Sequence, residues 1–493
     1  MNIITLFLES ARRYPKKTAI ISKKKSIRYA KLEQEVKATA SYFISKGIKK
    51  GDRVIVFIPM SIDLYRVVLA LFYIGATAVF LDQWIDNKRL DLSCEIANSK
   101  GFIGVFKTKF LMLFSKELRK IPIKLKLNKQ HKLKVNMAMN LDDVPALITF
   151  TTGSTGVPKA AERSHRFLKE QFNALLYEIK PKASDIDMPV LPIVLFMNLG
   201  VGCTSVIADF KMTKPEAIKE ITIVNQIRKY AVNRIIASPF FVHKLAIFLI
   251  DKNTQLDTLK QIFTGGAPVF PREASVYLKA FPKTISNIVY GSTEVEPISS
   301  IRVDNLIQKG IHRGLPVGEV FYKAKVKIIK ICNHAIAPCS YEQLNVLVVT
   351  DGEIGEIIVS GPHVLEKYFE NEQVFKDNKV VVEGEIWHRT GDSGYLNKNE
   401  LFLTGRCKQL IYNDAKLLSP FIIENKLQLI DGVTLGTLIK NKDTLILIVE
   451  SILSVSELKS KIIDIPYDEI KILSKIPRDP RHNSKIDYNS LVL

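Results

Sequence analysis

The chain has 493 residues, 47% of them hydrophobic, which is enough for a large core and more than one domain. No stretch reaches the ~20 clean apolar residues of a membrane span: 67–81 is too short, and 189–208 is broken by Pro192, Asn198 and two glycines. A net charge of +21 admits nucleic acid, an anionic membrane or an acidic partner, but the lysines run in short clusters along the whole length without a basic repeat or aromatic interleaving. The expectation is therefore a lysine-rich solvated surface and no nucleic-acid partner. The five cysteines are scattered with no C-x-x-C, indicating neither a zinc site nor a disulfide framework, and a reducing cytoplasm is the simplest compartment.

At the start, Ile4, Phe7, Leu8 and Ala11 have the spacing of a short amphipathic helix rather than of a signal peptide. Residues 29–46 are patterned as a helix, 52–59 as a strand, the segment through Tyr73 as a helix, and 76–81 and 101–106 as strands. This alternation predicts an α/β fold with largely parallel strands. The basic stretch 124–139 reads as a surface connection. An apolar run at 144–150 enters a Gly-rich loop, 166–177 is helical, and 189–199 and 201–208 read as buried strand-turn elements. Further on come a strand at 233–237, a helix at 240–250 and a strand at 261–264. The runs at 320–331, 356–359 and 401–403 suggest a β-rich subdomain. Gly405 marks a boundary, after which a small α/β unit has a strand at 445–449 and a helix at 457–463.

The Gly-rich loop TFTTGSTGVPK (149–159) sets small residues, hydroxyls and two glycines ahead of one lysine. Its backbone N–H groups can close around phosphate oxygens, with the hydroxyls and Lys159 adding donors and charge. The spacing is not that of the G-x-x-x-x-G-K-[S/T] loop. Tyr290-Gly291-Ser292-Thr293-Glu294 then offers an aromatic face, a tight turn, hydroxyls and a carboxylate, the parts a magnesium–nucleotide site needs. Asp392 in HRTGDSGY (388–395) is a carboxylate expected on a turn, able to accept two ribose hydroxyls. Arg406 follows, and PRDPRHNSKID (477–487) places Lys485 in a polar loop. Each motif alone is commonplace; their order is not.

Together these motifs closely resemble the adenylate-forming superfamily of acyl-CoA synthetases, luciferases and nonribosomal peptide adenylation domains, over nearly the whole chain. Four stretches resemble more narrowly the olefin-pathway β-lactone synthetases: 165–171, LPIVLFMNLGVGCTSVIAD (191–209), GGAP (265–268) leading to YGSTEVEPISSI, and DPRHNSKID (479–487). The resemblance implies a large, multi-subdomain N-terminal adenylation domain (1–405) and a small mobile α/β C-terminal domain (406–493), with a hinge near 406–409 that includes Lys408. It implies ATP and Mg²⁺ as cofactors. Thr151, Thr152, Gly153, Ser154, Thr155, Gly156 and Lys159 would hold the β- and γ-phosphates. Gly266, Ala267, Pro268 and Tyr290, with Gly291 and Ser292, would bound the adenine. Thr293 would meet the α-phosphate, Glu294 would ligate Mg²⁺, Asp392 and Arg406 would hold the ribose, and Lys485 would reach the carboxylate and α-phosphate. The catalytic set is thus Lys485, Lys159, Thr293 and Glu294.

The implied reaction joins a fatty or 3-hydroxy acid to AMP with release of pyrophosphate. The β-hydroxyl then closes on its own carbonyl to give a β-lactone and AMP. The alternative is an acyl-CoA or acyl-carrier-protein ligase, whose partner would be a carrier protein or a downstream pathway enzyme. Ala415 stands where most relatives carry glycine; its methyl could crowd a thiol's approach, but it departs from the β-lactone synthetase pattern as well. His165 and His482 are candidate bases by residue type, and the apolar 191–201 segment, with Phe196 and Met197, is the expected acid pocket.

Overall fold

Two large sheets carry the N-terminal domain, and their strand chemistry explains the split. Runs rich in Val, Ile and Phe form parallel strands buried on both faces. In the computed structural model, which describes residues 1–491 apart from 82–86, 106–107, 128, 132–133, 153–157, 414–415 and 480–482, the first sheet has seven strands. Its centre, Pro145–Thr152, Thr77–Phe80, Arg53–Phe57, Gly101–Gly104 and Ile123–Leu125, is parallel throughout. Pro158–Ser164 pairs antiparallel with Pro145–Thr152, Thr151 opposite Lys159. The apolar helices Tyr29–Ser45 and Ile62–Ile74 pack together on this layer.

The second sheet has fourteen strands. Thr18–Ser22, Thr204–Ile207, Ile186–Pro189, Arg234–Ala237, Gln261–Gly265 and Ile285–Ser292 run parallel, and from Val295–Arg302 onward the pairing is antiparallel. The expected late β-rich subdomain is this antiparallel half, built from Leu315–Val320, Lys325–Ile329, Gly355–Ser360, Glu385–Asn397 and Glu400–Arg406. A smaller C-terminal domain follows. It contains the hairpin Ile411–Asn413/Lys416–Leu418, a three-stranded sheet (Val433–Asn441, Thr444–Ser451, Glu469–Leu473) and the helices Pro420–Gln428 and Val455–Lys461, around a core of Leu427, Leu447 and Leu458.

Two expectations are corrected. Residues 192–201 are a helix, Pro192–Val201, not strand and turn. An apolar run has no periodicity to separate the two, and the deciding signals are Pro192 at the first helical position and Gly202, at φ +93, closing the end. Asp392 lies within the strand Glu385–Asn397 rather than on a turn. The strand bulges there, with Gly391 at φ +67 and residues 389–393 opposite 356–358 of its neighbour.

The domains touch through polar contacts. Lys475 pairs with Glu216 at 2.6 Å, Arg272 with Asp431 at 3.3 Å, and the Phe240 N–H donates to Ser484 Oγ at 3.3 Å. Among the described residues no helix is long and apolar enough to cross a membrane.

Candidate active site

Parallel strands leave a crevice at their carboxyl ends, the usual place for a ligand in an open α/β sheet. Here both sheets direct those ends into one cavity of about 2120 Å³. Thr149 and Phe150 of the first sheet line it, as do Gly265–Pro268 and Tyr290–Glu294 from the second and Glu424 and Lys485 from the small domain.

The strand Gln261–Gly265 runs so close to Ile285–Ser292 that a Cβ on Gly265 would sit 2.4 Å from the Val289 carbonyl oxygen. Gly266 then turns at φ +91, bringing Ala267 and Pro268 to the cavity wall. From the next strand, the Tyr290 hydroxyl donates to Asp392 Oδ2 at 2.7 Å. Arg406 Nη1 donates to Asp392 Oδ1 at 2.7 Å and to the Thr390 carbonyl at 3.1 Å. Asp392 is thereby fixed from both sides on paired strands, where it stands opposite Arg406. Burial, and then the Asp392 carboxylate, push the Tyr290 hydroxyl well above its ordinary range, so it stays a donor.

Glu294 accepts a hydrogen bond from the Tyr368 hydroxyl at 3.1 Å. Burial works against its charge, but His388, Lys379 and the Tyr368 hydroxyl outweigh it and hold the carboxyl down at about 2. Among the described residues no group of three or more His, Cys, Asp or Glu gathers to hold a metal unaided. A single ionised carboxylate in a nucleotide-sized cavity suits Mg²⁺, which takes one or two carboxylates and completes its shell with phosphates and water. Lys159 Nζ donates to Asn378 Oδ1 at 3.1 Å. Burial lowers its pKa, Arg406 and Lys408 add to the shift, and Glu294 opposes it.

Gly153, Ser154, Thr155 and Gly156 lie outside the described residues, as do His482 and Ala415, and of Thr151 and Thr152 only the backbone strand is described. Gly291, Ser292 and Thr293 line the cavity. Lys485 lines it from the far side, on a loop that Asp479 folds by accepting the N–H groups of Ser484 at 3.2 Å and Lys485 at 2.9 Å.

His165 does not reach the cavity. It is 2% exposed, its Nδ1 accepts the Ile3 N–H at 3.1 Å, its ring packs edge-on against Phe72, and burial pushes it down to about 4, so it is a structural residue. Within the 192–201 helix, Ile193 and Phe196 line the cavity, whereas Met197 points into a cluster with Leu175 and Phe263. One step along a helix turns the side chain by roughly 100°, so Met197 faces away from the wall that Phe196 lines.

Lys379 and Tyr368 escaped the sequence reading. Lys379 is 2% exposed, its amine has no hydrogen-bond partner among the described residues, and it sits 5.7 Å over the Tyr368 ring. Burial lowers it to about 7, against the pull of Glu294. In sequence it is one more lysine of the 71 basic residues, and only its place at the head of the apolar strand Lys379–Val382 hinted at burial.

Olefin beta-lactone synthetase of Stenotrophomonas maltophilia is 28% identical over 414 residues, 78% of this chain and 73% of that protein. 2-Succinylbenzoate–CoA ligase of Enterococcus faecalis is 21% identical, covering 89% of this chain and 86% of its own. The structure of O-succinylbenzoate coenzyme A synthetase from Bacillus subtilis, in complex with ATP and magnesium ion, superposes with a TM-score of 0.80 at 19% identity, over 99% of this chain and 98% of that one. The family description "AMP-binding enzyme" matches residues 7–369. That span is well over half of the sequence, so the chain belongs to the AMP-binding enzymes, the ATP-dependent adenylate-forming ligases.

Proposed function

We propose that the cavity joins a hydroxylated organic acid to AMP and then closes the acyl-adenylate to a β-lactone. The observation carrying this reading is that one cavity, lined from both domains, collects Lys159, Glu294, Asp392, Arg406 and Lys485. A carboxylate attacking ATP brings two anions together, and cations placed around the α-phosphorus offset that repulsion in the transition state. Asp392, held by Tyr290 and Arg406, keeps lone pairs for the ribose hydroxyls. Gly266, Ala267 and Pro268, with Tyr290, Gly291 and Ser292, bound the adenine, and Thr293 meets the α-phosphate. Lys159, with the 151–156 loop, neutralises the β- and γ-phosphates, and Lys485 bridges the acid and the α-phosphate. Bound Mg²⁺, with Glu294 as its protein ligand, supplies further neutralisation of phosphate charge.

Ring closure needs no second substrate. The acid's 3-hydroxyl oxygen bonds to its own acyl carbon as its O–H bond breaks and the proton passes to water, the bond from that carbon to AMP breaks, and AMP leaves with the electron pair. Orientation supplies much of the rate, because the nucleophile is already attached. We take the chain to divide near residue 405, with 406–409 as the hinge about which the small domain turns between the two steps. Two olefin β-lactone synthetases, of Stenotrophomonas maltophilia and Xanthomonas campestris, are among the relatives at 28% identity each and support the lactone over a thioester.

The test is incubation of the purified protein with ATP, Mg²⁺ and a 3-hydroxy acid, with no thiol present. AMP release and a lactone detected by mass are expected. Thioester formed only on adding CoA or a loaded carrier protein would overturn the lactone step and favour the ligase. No acid-dependent pyrophosphate release with any acid would overturn adenylation itself.

A further inference from the structure

The acid side of the cavity is not uniformly apolar. Leu191, Ile193 and Phe196 form one wall, as suits an alkyl chain. Facing the same cavity are three polar side chains: Arg163, 7% exposed, Gln171, 3% exposed, and half-buried Glu296. They come from separate elements, the strand Pro158–Ser164, the helix His165–Ile179 and the strand Val295–Arg302, so no local sequence pattern groups them. Arg163 Nη2 donates to the Thr293 carbonyl at 3.4 Å, which places the guanidinium beside the residue proposed to meet the α-phosphate. Glu296 is backed against the same turn: a Cβ on Gly291 would lie 3.1 Å from Glu296 Cα. The guanidinium also acts on the Glu296 carboxylate through space. Among the described residues, no hydrogen bond engages the Gln171 amide or the Glu296 carboxylate.

Buried polar groups without partners are costly unless a ligand completes them. A plain alkyl chain would remove water from Gln171 and Glu296 and return nothing. A second carboxylate would be drawn to Arg163 but repelled by Glu296, and an amine would meet the reverse. A hydroxyl fits both, accepting from Arg163 or Gln171 while donating to Glu296. Resting on the adenylation reading above, we propose that Arg163, Gln171 and Glu296 form a hydroxyl-recognising end of the acid pocket, close to where the acid's carboxyl joins AMP. They are specificity residues. By holding the hydroxyl near the activated carbonyl they also set the orientation that ring closure needs.

The experiment measures kcat/KM for acid-dependent ATP–pyrophosphate exchange with pairs of acids of equal chain length, one with and one without a 3-hydroxyl. It uses the wild type, Gln171→Leu and Glu296→Leu, each checked for an unchanged melting transition. The wild type is expected to prefer the hydroxy acid by about 10²-fold or more, because a site built to hydrogen-bond a hydroxyl rejects the analogue lacking it. In each variant that ratio is expected to fall by about 10-fold or more, mainly through loss of the hydroxy acid. Exchange with both acids at similar kcat/KM, or an unchanged ratio in both variants, overturns the inference while leaving adenylation standing. A dicarboxylic acid preferred over the hydroxy acid overturns it as well. If no acid supports exchange, the adenylation reading falls and this inference falls with it. The wild-type ratio decides alone should a variant fail to fold.

Discussion

Arg234 and Lys379 are cations buried in the same sheet, 0% and 2% exposed, with opposite surroundings. Arg234 donates to Asp185 at 3.0 Å, Asp187 at 3.3 Å and Asn198 at 3.1 Å, while Asn198 in turn donates to Asp187 at 2.6 Å and Ser205 at 3.1 Å. That network sets the Arg234 charge against two carboxylates within the protein and ties the strands Ile186–Pro189 and Arg234–Ala237 to the helix Pro192–Val201. Among the described residues Lys379 Nζ has no hydrogen bond, and the Tyr368 ring and through-space attraction from Glu294 and Glu366 balance it. A buried charge answered by the protein is architecture. One answered only through space, beside the Glu294 that lines the cavity, is costly to the fold, and such strain concentrates where a ligand acts.

The most direct way to break this contrast is Arg234→Leu. It leaves Asp185 and Asp187 buried without their cation, and the expected cost is about 3–5 kcal/mol of stability, read as a lowered denaturation midpoint. A loss under about 1 kcal/mol would mean the network is not closed in the sense argued. Lys485→Ala probes the other kind of charge. Its loss is expected to slow acid-dependent pyrophosphate exchange by about 10²–10³ with an unchanged melting temperature, since its side chain is exposed on a loop held by Asp479. Exchange near the wild-type rate would remove Lys485 from the reaction.

The contrast also explains what sequence alone could and could not deliver. The parallel layers were readable because Val54–Val56 and Ile235–Ile236 are apolar runs between turn signals. Tyr290, Glu294, Asp392, Arg406 and Lys485 were readable because each sits in a short motif. The helix Pro192–Val201 was misread because an apolar run fits a buried helix and a buried strand alike. Arg163, Gln171, Glu296 and Lys379 were not singled out because their meaning comes from long-range juxtaposition. Lys379 acts on Glu294 across 85 positions of chain, and a lysine in a lysine-rich chain carries no local mark of burial.

Lys379→Met sharpens the comparison from the side of stability. An apolar chain of similar length removes a buried amine that Glu294 and Glu366 compensate only through space, so the variant is expected to match the wild-type stability or exceed it. Exchange should slow, because Glu294 loses a neighbour that keeps it ionised. Denaturant midpoint and exchange rate are therefore expected to move in opposite directions. Both falling together would place Lys379 among the structural charges with Arg234.

Glu424 lies between the two kinds, and its effect is the smallest. It is 4% exposed in the small domain and lines the cavity, with the Tyr488 hydroxyl donating at 2.6 Å and Thr437 Oγ1 at 3.3 Å, but among the described residues no cation pairs with it. Burial pushes it up to about 7 despite those two hydroxyls. The folded protein thus holds a proton that the unfolded chain releases at the ordinary carboxylate value of 4.5. Between those values the native state binds more protons, so this group's contribution to stability is complete below the lower one and declines as pH rises through the upper, by at most about 1.4 kcal/mol per pH unit. Glu424→Gln keeps an acceptor for Tyr488 and cannot ionise. Its stability relative to the wild type is expected to increase from about pH 5 to about pH 8 and then level off. A difference independent of pH would show that Glu424 is balanced by charge as Arg234 is, and that the small domain's side of the cavity holds no carboxylate titrating near neutrality.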